Sequence, residues 1–445
     1  MEKNFLISAF CLLWVNFISA QTATVNENDL FSDTSSVTAS EQIVNNNEIK
    51  NTVSKSTGLS GVITNALIGS ANRDWFDGYH RSDLTLTNYT VGNLMLDIRL
   101  PQGAKAFANF EAQYVPNTSS LTSDLREIFV DANIKKHVYL RMGKQVLQWG
   151  LCTLWNPTDL INVEKKLFIQ KIGYREGAYG LKFHIPFGTV CNIYGFVDTK
   201  NASSVDSVAC AGKLEFLVGS TEMAFSLWDK KSCNPVAGYD ISTRLAGVDI
   251  TGELAVSDGS NSYSLKNEDG VLSKEKSKDW QTRLCIDIGR DFDFLKISRA
   301  LTITGSFYYN KAGYDYNMFS NTEVYQYKDS ITVTDQSGKS IAQKMGTQAE
   351  FLYGADLYEQ HNYSRYYAAL FTSVNRIILS SLSGSFKTVA NIPQKSFIVS
   401  GGLTYTSLNE FFAGFLINGY IGGKNTEYTY KNQALSLQVT AGVTF

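Results

Sequence analysis

The sequence predicts an all-β membrane protein, a transmembrane antiparallel up-and-down β-barrel of about 16–18 strands with short periplasmic turns and long extracellular loops. Three observations carry this. Hydrophobicity alternates with period two from about residue 59 onward, tight turns alternate with long connections, and the final alternating strand, Leu435 to Phe445, stops on an aromatic ring. Composition agrees, with 13% aromatic residues, 18% charged residues and only 6 Pro in 445. A net charge of −2 excludes a generally basic nucleic-acid binder and an acidic disordered chain. With 4 His, a His-based metal centre has little material, and no cofactor is expected.

Residues 1–20 read as a cleaved signal peptide. Lys3 gives a positive start, Phe5 to Phe17 is apolar apart from Ser8 and Asn16, and Ile18-Ser19-Ala20 resembles a cleavage site. No later stretch reaches the roughly 18 apolar residues of a helical span. Residues 21–58, rich in Asn, Ser, Thr and Glu around Asn45-Asn46-Asn47, cannot bury a core and predict a polar mobile extension, with a small plug as its functional alternative. Residues 59–445 are expected to form the barrel, located in the bacterial outer membrane after export through the cleaved signal peptide. Five cysteines follow the leader, at positions 152, 191, 210, 233 and 285, with no CxxC spacing. Cys152 and Cys233 both fall in predicted loops and form the one pair considered for a disulfide.

The strands follow from the alternation. Tyr179, Leu181, Phe183 and Ile185 alternate with Gly180, Lys182 and His184. Val248, Ile250, Leu254 and Val256 alternate with Asp249, Thr251, Glu253 and Ala255. Alternation alone also fits a soluble sandwich with one wet face. The parity of the connections separates the two: tight gaps at Pro101–Gly103, Lys135–His137, Pro186–Gly188, Val218–Ser220 and Ala246–Gly247 interleave with long ones such as 149–172, 258–278 and 311–362. A Greek-key sandwich has no reason to keep that parity. Counting between gaps gives eighteen strands, the weakest being the first, Gly61 to Gly69. A barrel of that size encloses an aqueous lumen.

Charged residues out of phase with the apolar stripe should face that lumen, because Arg or Lys at the lipid midplane costs about 2–4 kcal/mol. They are Asp97, Arg99, Glu111, Glu127, Asp131, Arg141, Lys182, His184, Lys213, Glu215, Arg244, Asp249, Glu253, Arg283 and Asp287, joined by Gln145. Their mixed signs argue against a filter for one type of ion and fit a watery path for polar or amphiphilic solutes. Pairing across strands to stiffen the wall is the plainer role for any one of them.

One hairpin carries more detail. With Lys136 as turn centre, Asp131 falls opposite Arg141 and Glu127 opposite Gln145, and opposite charges so placed stabilise a hairpin by about 0.2–1 kcal/mol. After Trp149-Gly150 comes a long loop with Asn156-Pro157-Thr158-Asp159 and Asn162. Asn before Pro is an ordinary helix start. The functional alternative folds this loop into the lumen as a constriction, with Trp149, Asn156, Pro157, Asp159 and Asn162 as its residues, meeting the wall near Asp131 and Arg141.

The run Leu125-Arg126-Glu127, Asp131, Arg141-x-Gly143-Lys144-Gln145, Trp149-Gly150, Asn156-Pro157-x-Asp159 and Asn162 resembles the porin-like outer-membrane proteins of the domain of unknown function 1302 family. The resemblance covers residues 92–163 and implies a signal peptide and a large barrel. The chain departs from the family pattern at Val163, where a Pro is expected, and by placing Cys152 inside the motif loop.

These readings make a porin-like channel for passive passage of small polar or amphiphilic solutes the leading expectation. A plugged transporter for hydrophobic substrates is the alternative, with Phe107, Phe129, Trp228, Phe412 and Leu416 as inward apolar residues, and a surface adhesin or structural barrel is the other. No enzyme is expected, since His361 near Ser364 is the single local base–nucleophile pairing. Expected partners are outer-membrane lipid, the barrel assembly machinery, for which Phe445 is the signal, and a small solute. No nucleic acid is expected.

Overall fold

The structure, a computed structural model, describes residues 56–78, 83–100, 103–161, 177–200, 204, 207–295, 297–334, 340–407 and 410–445. The expected signal peptide, nearly all of the expected polar extension, and Asn162 lie outside the described residues.

The strands in chain order are β1 Ser56–Asn72, β2 Leu84–Arg99, β3 Lys105–Val115, β4 Ser120–Ile134, β5 Val138–Gln145 and β6 Ala178–Phe187. Next come β7 Cys191–Asp198, β8 Ala209–Val218, β9 Thr221–Lys230, β10 Val236–Leu245 and β11 Val248–Asp258. Two short strands, β12 Ser264–Glu268 and β13 Val271–Glu275, precede β14 Trp280–Phe294 and β15 Ile297–Asn310. Two more, β16 Tyr325–Thr334 and β17 Ser340–Gly346, precede β18 Tyr366–Val374, β19 Leu382–Asn391, β20 Ser396–Thr406, β21 Phe411–Ile421 and β22 Gln433–Thr444.

Eighteen of these form one antiparallel barrel, each strand pairing with the next, with β11 joining β14 and β15 joining β18. It closes where β1 pairs with β22, from Val62 opposite Thr444 to Ala71 opposite Leu435. Closure removes both sheet edges, which hydrocarbon requires. The strand expected to be weakest is therefore the seam. It starts at Ser56, a little before the expected boundary at residue 59.

Burial is inverted relative to a soluble protein. Ile128, Val130 and Met142 are 47%, 50% and 64% exposed, while Asp131 and Arg141 beside them are 4% and 8% exposed. An apolar outer face around a buried charged interior is the pattern of a barrel solvated by lipid. Turn chemistry sets the registers. Lys135 and Lys136 both take left-handed φ, 51° and 58°, and His137 N–H donates to the Ile134 carbonyl, so a three-residue turn, Lys135 to His137, joins β4 and β5.

The parity of connections is looser than the sequence suggests. Residues 116–119 and 392–395 are external loops as short as the turns, while the turn 375–381 is longer than Asn375-Arg376. The two long external gaps are structured. Strands β12, β13, β16 and β17 form a four-stranded sheet in which β13 and β16 run parallel, and a helix, Gln348–Gly354, follows with Thr347 and Glu350 as a reciprocal cap. Leu272, Phe319, Ile331, Phe351, Leu352 and Tyr363 give this cap a small core of its own.

Candidate functional site

The β4–β5 hairpin roots the site. Asp131 and Arg141 are register partners joined by two hydrogen bonds of 2.6 and 3.0 Å, and the guanidinium lies 3.9 Å from the centre of the Phe129 ring. Both side chains are nearly sealed, so removing either partner would strand a buried charge. Glu127 accepts the Val146 N–H at 3.0 Å, fixing the direction in which the chain leaves β5. Gln145 donates to the carbonyls of Arg141 and Gly180.

From there the chain crosses the barrel interior. Leu147, Trp149 and Ile161 pack with Ala178, Phe196 and Ala211 on β6 to β8. Cys152, Leu154 and Trp155 instead join a cluster with Cys285, Tyr308, Tyr367, Val389, Ile398 and Tyr420, carried on β14 to β21. One loop thus touches two separate arcs of wall.

Polar anchors hold the crossing. Glu253 on β11 accepts the N–H groups of Leu151 and Cys152, each at 2.6 Å, with one oxygen, and the N–H and hydroxyl of Thr158 with the other. Asp287 on β14 accepts the Thr153 N–H at 2.6 Å, and Lys213 on β8 donates to the Trp149 carbonyl at 2.9 Å. Asp159 accepts the Trp149 N–H at 3.3 Å, tying the outgoing arm to the returning one. Asn156 caps no helix. Asp159 N–H donates to the Asn156 carbonyl across a single turn with Pro157 in its second position, where a fixed φ suits.

The described part of the loop, residues 147–161, docks on Lys213, Glu253 and Asp287. Asp131 and Arg141 hold the root of the loop. Lys213 also pairs with Asp240 at 3.3 Å, a buried inward carboxyl that the charge pattern passed over. Elsewhere the inward residues form wall networks. Asp97 pairs with Arg99 and Lys105, and Glu111 with Arg126. His184 stacks on Tyr194 and Tyr139 and contacts Asn192, which donates to Glu215. Arg244 joins Asp249 and Asp291 near the turns. Lys182 faces Arg141 in register.

A cavity of about 270 Å³ lies on the outer side of the crossing, lined among others by Trp155, Asn156, Asp159, Trp228, Arg283 and Tyr308. Trp155 stacks on Tyr308 at 5.1 Å and 2° between planes, and its indole N–H donates to the His361 carbonyl. That bond joins the crossing loop to the outer loops.

The other sequence-based pairings separate in space. Cys152 is not bonded to Cys233: it is buried against Cys285. His361 Nδ1 meets the Tyr428 hydroxyl, while the Ser364 hydroxyl accepts from Asn391, so the two form no base–nucleophile pair. Phe107 packs on Phe129, and Trp228 packs near the loop root.

No family model matches the sequence, and no curated protein matches it. Solved barrels of Pseudomonas aeruginosa do. OccK2 (OpdF), solved in complex with glucuronate, superposes with a TM-score of 0.52 at 8% identity, covering 87% of this chain and 98% of that one. OpdL gives 0.52 at 10% identity, and OccK8 (OprE) gives 0.52 at 8%, each with the same coverage. The chain has the fold of an outer-membrane porin: a closed antiparallel barrel of eighteen strands, nearly all sheet.

Proposed function

We propose that the protein is an outer-membrane channel through which small polar or amphiphilic solutes pass passively, selected at the crossing loop. The crossing itself carries this reading. Residues 147–161 reach from β6–β8 to β14–β21, held by Glu253, Asp287 and Lys213, so a solute moving along the barrel axis must pass beside them. The cavity before the crossing offers aromatic faces on Trp155, Trp228 and Tyr308 beside Arg283, Asn156 and Asp159. That mixture suits a solute with both a flat apolar face and hydrogen-bonding groups better than a fully hydrophobic one. The porin-like neighbours support the same class of activity.

Planar-bilayer recording tests the proposal. Deleting residues 152–161 should leave a heat-modifiable folded barrel and raise single-channel conductance several-fold. Asp159→Lys should shift selectivity toward anions, since a charge in a narrow aqueous passage acts at short range with little screening. A folded deletion variant with unchanged conductance would defeat the constriction.

A further inference from the structure

Two cysteines far apart in sequence meet at the docked tip of the crossing loop. Cys285 points inward from β14 and is fully buried, Cys152 is 2% exposed, and their sulfurs lie with an oxygen of Asp287 within 4.8 Å of one another. The approach is built by the wall. Glu253 and Cys285 are register partners across β11 and β14, and Glu253 takes the Cys152 N–H. Asp287, the next inward residue on β14, takes the Thr153 N–H with one oxygen, and its other oxygen accepts from the Cys285 thiol at 3.6 Å. Two adjacent peptide N–H groups of the loop are thus clamped by two carboxyl groups flanking Cys285. The Cys152 side chain is thereby held beside that thiol.

We infer that Cys152 and Cys285 form a disulfide that latches the crossing loop to the barrel wall. An outer-membrane barrel matures in an oxidising compartment, where adjacent thiols become disulfides and cytosolic reductants are absent. The oxidant is a disulfide-carrying protein or small molecule of that compartment. One cysteine thiolate attacks the oxidant's disulfide, forming a mixed disulfide and releasing one thiol. As the loop docks, the second cysteine thiolate attacks the first cysteine's sulfur and expels the other oxidant thiol. Two protein thiols are oxidised and one disulfide is reduced to two thiols, so electrons and protons balance. The bond spans elements more than a hundred residues apart in sequence and fastens a segment of the lumen that lies outside every described strand.

Differential alkylation tests this in the full-length protein. Outer membranes are isolated with a light maleimide present and denatured in more of it, then reduced and labelled with a heavy one. Cys152 and Cys285 peptides should carry only the heavy label, and Cys191, Cys210 and Cys233 the light one. Cys285→Ser should turn Cys152 light. In wild-type channels, a phosphine reductant should raise open-channel current noise several-fold, with no effect on Cys152→Ser. Light label on both Cys152 and Cys285 in wild type would overturn the latch, as would stoichiometric zinc or copper in the purified protein that is lost in Cys285→Ser. The labelling depends on no transport measurement, so it stands or falls separately from the channel reading.

Discussion

One oxygen of Glu253 accepts both the backbone N–H and the hydroxyl of Thr158, at 3.1 and 2.9 Å, across 95 residues of sequence. The other oxygen holds Leu151 and Cys152. A single wall carboxyl therefore pins both arms of the crossing loop. Gly238 makes room for it: a methyl group there would sit 3.1 Å from the Thr158 methyl and collide with the Ser226 hydroxyl.

Glu253→Ala should free the loop tip while leaving the barrel paired. Hydrogen bonds to a charged group contribute about 1.5–3 kcal/mol each, and four end on this side chain. Backbone amides of residues 151–158 should lose hydrogen-exchange protection by at least tenfold, and single-channel current should become noisier. Strand amides of β10 and β11 should stay protected. Wild-type protection in a folded Glu253→Ala protein would show that the apolar cluster alone holds the loop.

The seam gives a second prediction. Phe445 N–H donates to the Gly61 carbonyl at 2.9 Å, and Gly61 N–H donates to the Phe445 carbonyl at 2.8 Å. The Phe445 ring lies over Gly61, where a side chain would collide with it. Removing Phe445 costs both bonds and the ring at the place where the barrel closes, and Phe445 is also the residue we propose the assembly machinery reads. Deletion of Phe445, and Gly61→Val, should each reduce the heat-modifiable folded form in outer membranes by several-fold. If both variants assemble at wild-type yield, the seam tolerates the loss and the assembly role falls.

The barrel was legible because its cause is local. Outward Ile128, Val130 and Met142 and inward Asp131 and Arg141 announce themselves by phase, and a tight turn at Lys136 fixes their register. What the loop touches was not legible. Glu253 reads as one lumen charge among many, and nothing near it in sequence points to residues 151–158. The same holds for Cys285, whose neighbour across the lumen is set by closure of the whole sheet. The outer cap did leave a signal that loop-length reasoning passed over. Asp269-Gly270, with φ of 50° and 81°, sits between Ser264–Glu268 and Val271–Glu275, and Asp-Gly between two short apolar-bearing runs is a strong hairpin mark. Glu427 carries no comparable signal, because a lone Glu in an external loop ordinarily faces water.

Glu427 instead sits buried in the loop between β21 and β22. One oxygen accepts from Asn391 at 2.6 Å and the Tyr367 hydroxyl at 2.9 Å, and the other from the His361 N–H at 3.1 Å and the Tyr358 hydroxyl at 3.4 Å. Burial pushes its carboxyl up from 4.5 to about 7, against those hydrogen bonds, which pull it down. Burial pushes the neighbouring His361 down from 6.5 to about 3. Tyr358 and Tyr428, which also face the hub, are pushed upward by burial and keep their protons. Opening the outer loops returns both groups to water, and their effects on pH dependence oppose. Between 4.5 and 7 the closed form holds a proton on Glu427 that the open form has lost, so closure weakens as pH rises. Between 6.5 and 3 the open form gains a proton on His361 that the closed form refuses, so closure weakens as pH falls. The two slopes, about 1.4 kcal/mol per pH unit each, cancel where the windows overlap. Closure of the wild-type loops should therefore be flat from about pH 4.5 to 6.5 and weaken in stronger acid. Glu427→Gln keeps the shape and removes one slope, so its loops should open about 50-fold more at pH 4.5 than at pH 6.5. Limited proteolysis of residues 355–365 and 422–432 across that range reads the difference. Matching pH profiles in the two proteins would mean that Glu427 does not titrate against the buried histidine.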